Sequence, residues 1–129
     1  MKTVLVWILA LLAGAVVPAV LAALAYADVR MFAPVFLVAL SHAFVLGVPA
    51  ALLCRNFGLL GARWALLGGF LIGAIPTAIY LWPIERAAGF NTTLPEYLLV
   101  AGGLGCLGAL GAFAFWTVFR LTGTMPRAR

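Results

Sequence analysis

Four apolar stretches without a charged residue constrain the fold of this chain more than any other feature. They cover residues 4–25, 32–54, 64–84 and 97–119, so each has 21 to 23 residues. A helix of about 20 apolar residues crosses the ~30 Å hydrocarbon layer of a bilayer, and a helix satisfies its own backbone hydrogen bonds in lipid. The sequence therefore predicts an all-α integral membrane protein with four transmembrane helices, with residues 1–129 forming a single membrane domain.

The composition agrees with a membrane location. Hydrophobic residues make up 67% of the chain and charged residues 9%, whereas soluble domains average about 45–50% and about 25%. The net charge of +5 raises the question of nucleic acid, but the basic residues lie between apolar stretches and form no polar patch with interleaved aromatics. They indicate contact with membrane lipids, through anionic headgroups, and we exclude nucleic-acid binding.

The loops and their charges predict a topology. Short connections favour antiparallel neighbours, so we expect an up-down-up-down antiparallel bundle. On one predicted side of the membrane there are only two basic residues, Arg30 and Arg86. The other side has six, which predicts that both termini are cytoplasmic (N-in/C-in) in a multi-pass protein of the cell inner membrane of a bacterium; the six are Lys2, Arg55, Arg63, Arg120, Arg127 and Arg129.

The first stretch has a second interpretation. Lys2, the apolar run and the motif Ala25-Tyr26-Ala27 are similar to a secretory signal with its cleavage site. The run is about 22 residues long, whereas the central region of a signal peptide has about 7–15. We therefore predict a retained transmembrane helix.

Helix ends and kinks are predicted by local motifs. Thr93 and Glu96 form a capping box with Pro95 between them, so the fourth helix is expected to start there. Pro83 is expected to end the third helix. Three further prolines lie inside the apolar stretches and should kink their helices; they are Pro18, Pro49 and Pro76. Each frees the carbonyl four residues earlier, which gives Gly14, Val45 and Ile72.

Glycines predict close helix packing. Gly69 and Gly73 lie four residues apart in the third stretch, and Gly105 and Gly108 belong to a glycine-rich run in the fourth. Small residues at such spacing let another backbone approach closely. The sequence leaves open whether that backbone belongs to the same chain or to a second copy.

His42 is the one ionisable side chain deep inside an apolar stretch, about 15 Å from its nearer end. With Ser41 and Thr77 it defines a candidate polar site near the membrane midplane. An intramembrane histidine could relay a proton or bind a substrate. The alternative is structural, with a neutral imidazole donating a hydrogen bond to the freed carbonyl of Gly14 or Ile72. A lone histidine provides too few ligands for a metal site, so we expect no metal and no cofactor.

Catalysis is not expected. The three acidic residues lie in the predicted outer loops, and Ser41 and His42 are consecutive, so on a helix they point about 100° apart. The favoured function is a non-catalytic interaction, accessory or regulatory component, for example of the immunity type, whose partner is another membrane protein or a second copy. The alternative is a small transporter or ligand-binding protein that uses the site around His42.

Overall fold

The computed structural model describes residues 2–59, 61–89 and 92–123, and over these residues the chain is helical without any strand. The helices are α1 (Lys2–Ala25), α2 (Phe32–His42), α3 (Val48–Asn56), α4 (Ala62–Ala87) and α5 (Leu94–Leu121). A short 3-10 turn, Val29–Met31, leads into α2, and a π-helical turn, Ala43–Gly47, joins α2 to α3.

The described chain has four helices long and apolar enough to cross a membrane, as the sequence predicts. They are α1, the segment Val29–Asn56, the Ala62–Tyr80 part of α4, and α5. We call Val29–Asn56 the second span, since the two turns, α2 and α3 together form one helical segment. The helices extend two or three residues beyond the predicted bounds at most ends, because helical geometry continues from the apolar stretch into the polar residues that flank it.

Pro83 does not end α4, so that prediction is wrong. The helix continues to Ala87, and the N–H of Ala88 donates to the Ile84 carbonyl at 2.9 Å. A proline removes one hydrogen bond, and the residues after it still close theirs. The predicted start of α5 is confirmed: α5 begins at Leu94, and the Thr93 N–H donates to Glu96 Oε2 at 2.8 Å.

Helix α5 lies at the centre of the packing, with α4 along one side and α1 along the other. Near the start of α1, Trp7 packs edge-on against Phe119 at 4.9 Å and against Phe115 at 5.8 Å between ring centroids. Val6 and Ala10 are buried in the same cluster. Farther along, Gly14 of α1 contacts Gly111 of α5. The start of α1 therefore meets the end of α5, and we call this end of the molecule the basic end because Lys2 and Arg120 lie there.

The second span packs differently. It lies against α1 through α2, and its main contacts with α4 are at the π-helical turn. None of its residues is buried, whereas α1 buries seven. A gap therefore remains between the second span and α4, on the side of the molecule where α1 and α5 also meet.

Candidate ligand-binding cavity

A cavity of about 430 Å³ occupies this gap, with lining residues from α1, the second span, α4 and α5. At the basic end its lining includes Arg55, Leu59 and Trp64, and at the other end it includes Val35 and Thr77. From Trp64 to Thr77 the α4 axis advances about 20 Å, at about 1.5 Å per residue. The cavity is therefore long, follows the helix axes, and has a lining that is mostly apolar.

Small residues form the second-span side of the cavity. Ala39, Ala43, Gly47 and Ala51 recur every four residues along this side. This stripe was not predicted from the sequence, although its spacing is the same small-residue signal that identified Gly69 and Gly73. The stripe could have been found by applying that test to the second apolar stretch as well.

The opposite side of the cavity is also built of small residues, and the two sides meet mainly at the π-helical turn. Ala65, Gly68 and Gly69 of α4 line it. A Cβ built on Gly68 would meet nothing within 4 Å, and one on Gly47 would meet only atoms of its own helical segment. Two surfaces whose composition permits close packing are thus held apart, and the space between them is open to an apolar occupant.

The predicted polar site is only partly assembled. His42 and Thr77 both line the cavity, whereas Ser41 is exposed and lies outside the lining among the described residues. Each of these side chains bonds to a carbonyl of its own helix. Ser41 Oγ donates to the Val38 carbonyl at 2.9 Å, and Thr77 Oγ1 donates to the Gly73 carbonyl at 2.8 Å. In the described chain no hydrogen bond connects the three side chains across the cavity.

The hydrogen bond of His42 differs from the one we expected. Its Nδ1 lies 2.8 Å from the Val38 carbonyl, one turn earlier, and not against the Gly14 or Ile72 carbonyl. Gly14 and Ile72 line the same cavity as His42. A carbonyl only accepts, so Nδ1 must carry the proton. Nε2 of the neutral ring is then an acceptor, and within the described residues it has no partner.

The π-helical turn begins directly after His42. The N–H of Val48 donates to the Ala43 carbonyl, five residues earlier, and Pro49 follows in the first turn of α3. Single π turns inside α-helices occur frequently at functional sites. The sequence predicted a proline kink here and missed the turn. Pro18 and Pro76 lie inside the continuous helices α1 and α4, so their kinks stay predictions.

The predicted packing glycines lie between α4 and α5. A Cβ on Gly69 would collide with the Gly108 carbonyl and Ala112, and one on Gly73 would collide with the Leu104 carbonyl. A Cβ on Gly105 would lie 2.7 Å from the Phe70 ring. These glycines therefore face a helix of the same chain. The contact between Gly14 and Gly111 was not predicted, although Ala10 and Gly14 are themselves two small residues four positions apart.

Aromatic and basic residues surround the cavity at the basic end. Trp7, Trp64 and Trp116 all contribute to the lining. The Arg63 guanidinium lies 5.6 Å from the Trp64 ring centroid, and that of Arg120 lies 5.9 Å from the Trp116 ring. Arg55 is different: it lines the cavity and is exposed, and among the described residues its guanidinium makes no hydrogen bond, ion pair or ring contact.

The described residues contain no group of three or more metal-ligating side chains. Comparison of the chain with models of known protein families, with curated proteins and with solved structures found no match. Over the described residues, the fold and the site define an all-helical protein with four apolar helices and a mostly apolar cavity between them.

Proposed function

We propose that this chain is a non-catalytic, multi-pass membrane protein that binds an apolar or amphipathic molecule in the cavity between the second span and α4. The observation that carries the proposal is the cavity itself. Its volume of about 430 Å³ falls within the range of about 300–1,000 Å³ for small-molecule sites. Protein interiors are otherwise close-packed, and the lining of this space is mostly apolar, so it suits a molecule with an apolar part.

Membrane insertion and orientation are part of the proposal. Arg63 with Trp64 and Arg120 with Trp116 form two pairs at the basic end. Tryptophan and basic residues favour the membrane interface, and basic residues favour its cytoplasmic side. We therefore place the basic end, with both termini, at the cytoplasmic face of a bacterial inner membrane, with the helices alternating in direction as one domain.

The chemistry of the lining supports binding over catalysis. His42 is its one imidazole, and within the described residues no carboxylate lines the cavity. General acid–base catalysis on a bound molecule needs suitable groups within hydrogen-bond reach of it. Nε2 of His42 can accept one hydrogen bond from a ligand, and Thr77 adds a hydroxyl near the same depth. These groups can orient a bound molecule without transforming it.

The binding proposal is tested by filling the cavity. The purified chain carries Trp82→Phe, so that the remaining tryptophans are the three that line the cavity. A brominated long-chain fatty-acid methyl ester is then titrated, because bromine quenches nearby tryptophan fluorescence. We expect saturable quenching that Ala51→Phe abolishes, since its ring occupies the cavity. Ala33→Phe is the matched control, because Ala33 is exposed and lies outside the lining.

The outcome that contradicts the proposal is equally direct. If quenching rises without saturation, or if both phenylalanine variants quench like the parent chain, the ester is dissolving in detergent or lipid and the cavity binds nothing. Correct folding of each variant is checked by circular dichroism and by elution as a single species.

A second candidate function is an accessory or regulatory component, for example of the immunity type, of a larger membrane assembly. The absence of any buried residue in the described second span supports it, because a partner helix could cover that face. The partner would be another membrane protein or a second copy. Mild solubilisation should then co-purify a stoichiometric partner that Phe44→Ala, on the exposed face of the second span, releases and Leu99→Ala on α5 retains. A homogeneous chain without a partner would contradict this candidate.

A further inference from the structure

The cavity has one charged end. Arg55 is the charged side chain that lines it within the described chain, and its guanidinium has no partner there. The other arginines of this end differ: Arg63 lies over Trp64, and Arg120 lies over Trp116. An arginine presents a planar fork of donors that fits a carboxylate with two parallel hydrogen bonds. The charged end therefore suits an anion.

The rest of the cavity suits an acyl chain. Beyond Arg55 the lining continues over alanine and glycine on the second span and over Ile72 and Leu104 on the opposite side. From Arg55 to His42 the second span advances about 20 Å, at about 1.5 Å per residue. That length exceeds the ~15 Å depth of half a ~30 Å hydrocarbon layer, so the cavity accommodates an extended chain that runs parallel to the helices.

We propose that the cavity binds a single-chain carboxylate of the fatty-acid class, with its head on Arg55 at the basic end and its tail extending toward His42. This inference rests on the proposed binding function and names its ligand. One cation matches a singly charged head, and the mostly apolar lining matches the tail. The tail thus supplies affinity, and Arg55 selects the head and fixes its orientation.

The experiment compares three probes on the chain with Trp82→Phe: a fatty acid brominated near its head, the methyl ester of that acid, and a lyso-phospholipid with the same chain. The titrations are run at alkaline pH, where the acid is ionised. We expect Arg55→Gln to weaken binding of the acid about tenfold, which corresponds to about 1.4 kcal/mol, and to leave the ester unchanged. Arg55→Lys should retain part of the preference for the acid, because the charge remains while the planar fork is lost.

Arg63→Gln is the matched control, because it removes a cation from the same end of the molecule but outside the lining. Equal effects of Arg55→Gln and Arg63→Gln would reduce the role of Arg55 to general surface charge and would overturn the ligand assignment. Tighter binding of the lyso-phospholipid than of the acid would also overturn it, in favour of a phosphate head. In both cases, loss of binding in Ala51→Phe would still support the cavity as a binding site. If Ala51→Phe still bound all three probes, both proposals would be overturned.

Discussion

Small residues on the two sides of α4 have opposite surroundings. Toward α5, Gly69 and Gly73 lie so close to the backbone of Gly108 and Leu104 that a Cβ has no room. Toward the second span, Gly68 faces a cavity in which a Cβ would meet nothing within 4 Å. Small residues therefore identify a surface that allows close approach. They do not identify what approaches, which is a helix on one side and an open cavity on the other.

The largest expected difference comes from adding the same large side chain to a closely packed region and to the cavity. Ala15 of α1 is fully buried, so Ala15→Phe should lower the free energy of unfolding by about 3 kcal/mol or more, at the upper end for overpacking. Ala51 lines the cavity, so Ala51→Phe should change it by less than about 1 kcal/mol, because the ring enters existing space.

Reversible unfolding of the detergent-solubilised chain, followed by circular dichroism, measures both values. Similar losses for the two variants would mean that the cavity closes in solution and that the two regions are equally packed. That result would remove the basis of the binding proposal as well.

A smaller difference is expected between two glycines of α5. A Cβ on Gly108 would collide with the Gly69 carbonyl, whereas a Cβ on Gly103 would meet nothing within 4 Å. Gly108→Ala should therefore destabilise the chain by about 1–3 kcal/mol. Gly103→Ala should be neutral or stabilise it by up to about 1 kcal/mol, because alanine has the higher helix propensity.

Thermal unfolding of the two alanine variants in the same detergent checks this prediction. Equal melting temperatures would show that α4 and α5 separate readily at Gly108. The close contact would then not distinguish this side of α4 from the side that faces the cavity.

The smallest effect is expected at a hydrogen bond between the two tightly packed helices. The Tyr97 hydroxyl of α5 donates to the Ala78 carbonyl of α4. Tyr97→Phe should lower the free energy of unfolding by about 0.6 kcal/mol, the average for side-chain hydrogen bonds between membrane-protein helices. Tyr80→Phe is the control, since that ring is 68% exposed. A loss of the same size in the control would assign the effect to the hydroxyl in general rather than to the bond between helices.

The sequence predicted the apolar helices well because their signal is local. Length, hydropathy and the capping residues Thr93 and Glu96 act within one helix, so they can be read without the fold. It predicted the surroundings of His42 less well. The expected bond to Gly14 or Ile72 depended on how far apart the helices stand, and no local pattern fixes that distance. The cavity was missed for the same reason, since it arises from the separation of two helices.

The π-helical turn between α2 and α3 has a geometric consequence for the shape of the cavity. In a regular α-helix each residue rotates by about 100°, so the twelve steps from Ala39 to Ala51 would end about 120° away from the starting direction. The π-helical turn contains one extra residue for about the same rotation. The twelve steps therefore rotate about as far as eleven regular steps and end about 20° from the starting direction. The π-helical turn therefore keeps the small residues of the second span facing in one direction. The alanines and the glycine of the second span form a straight groove instead of spiralling away from the cavity.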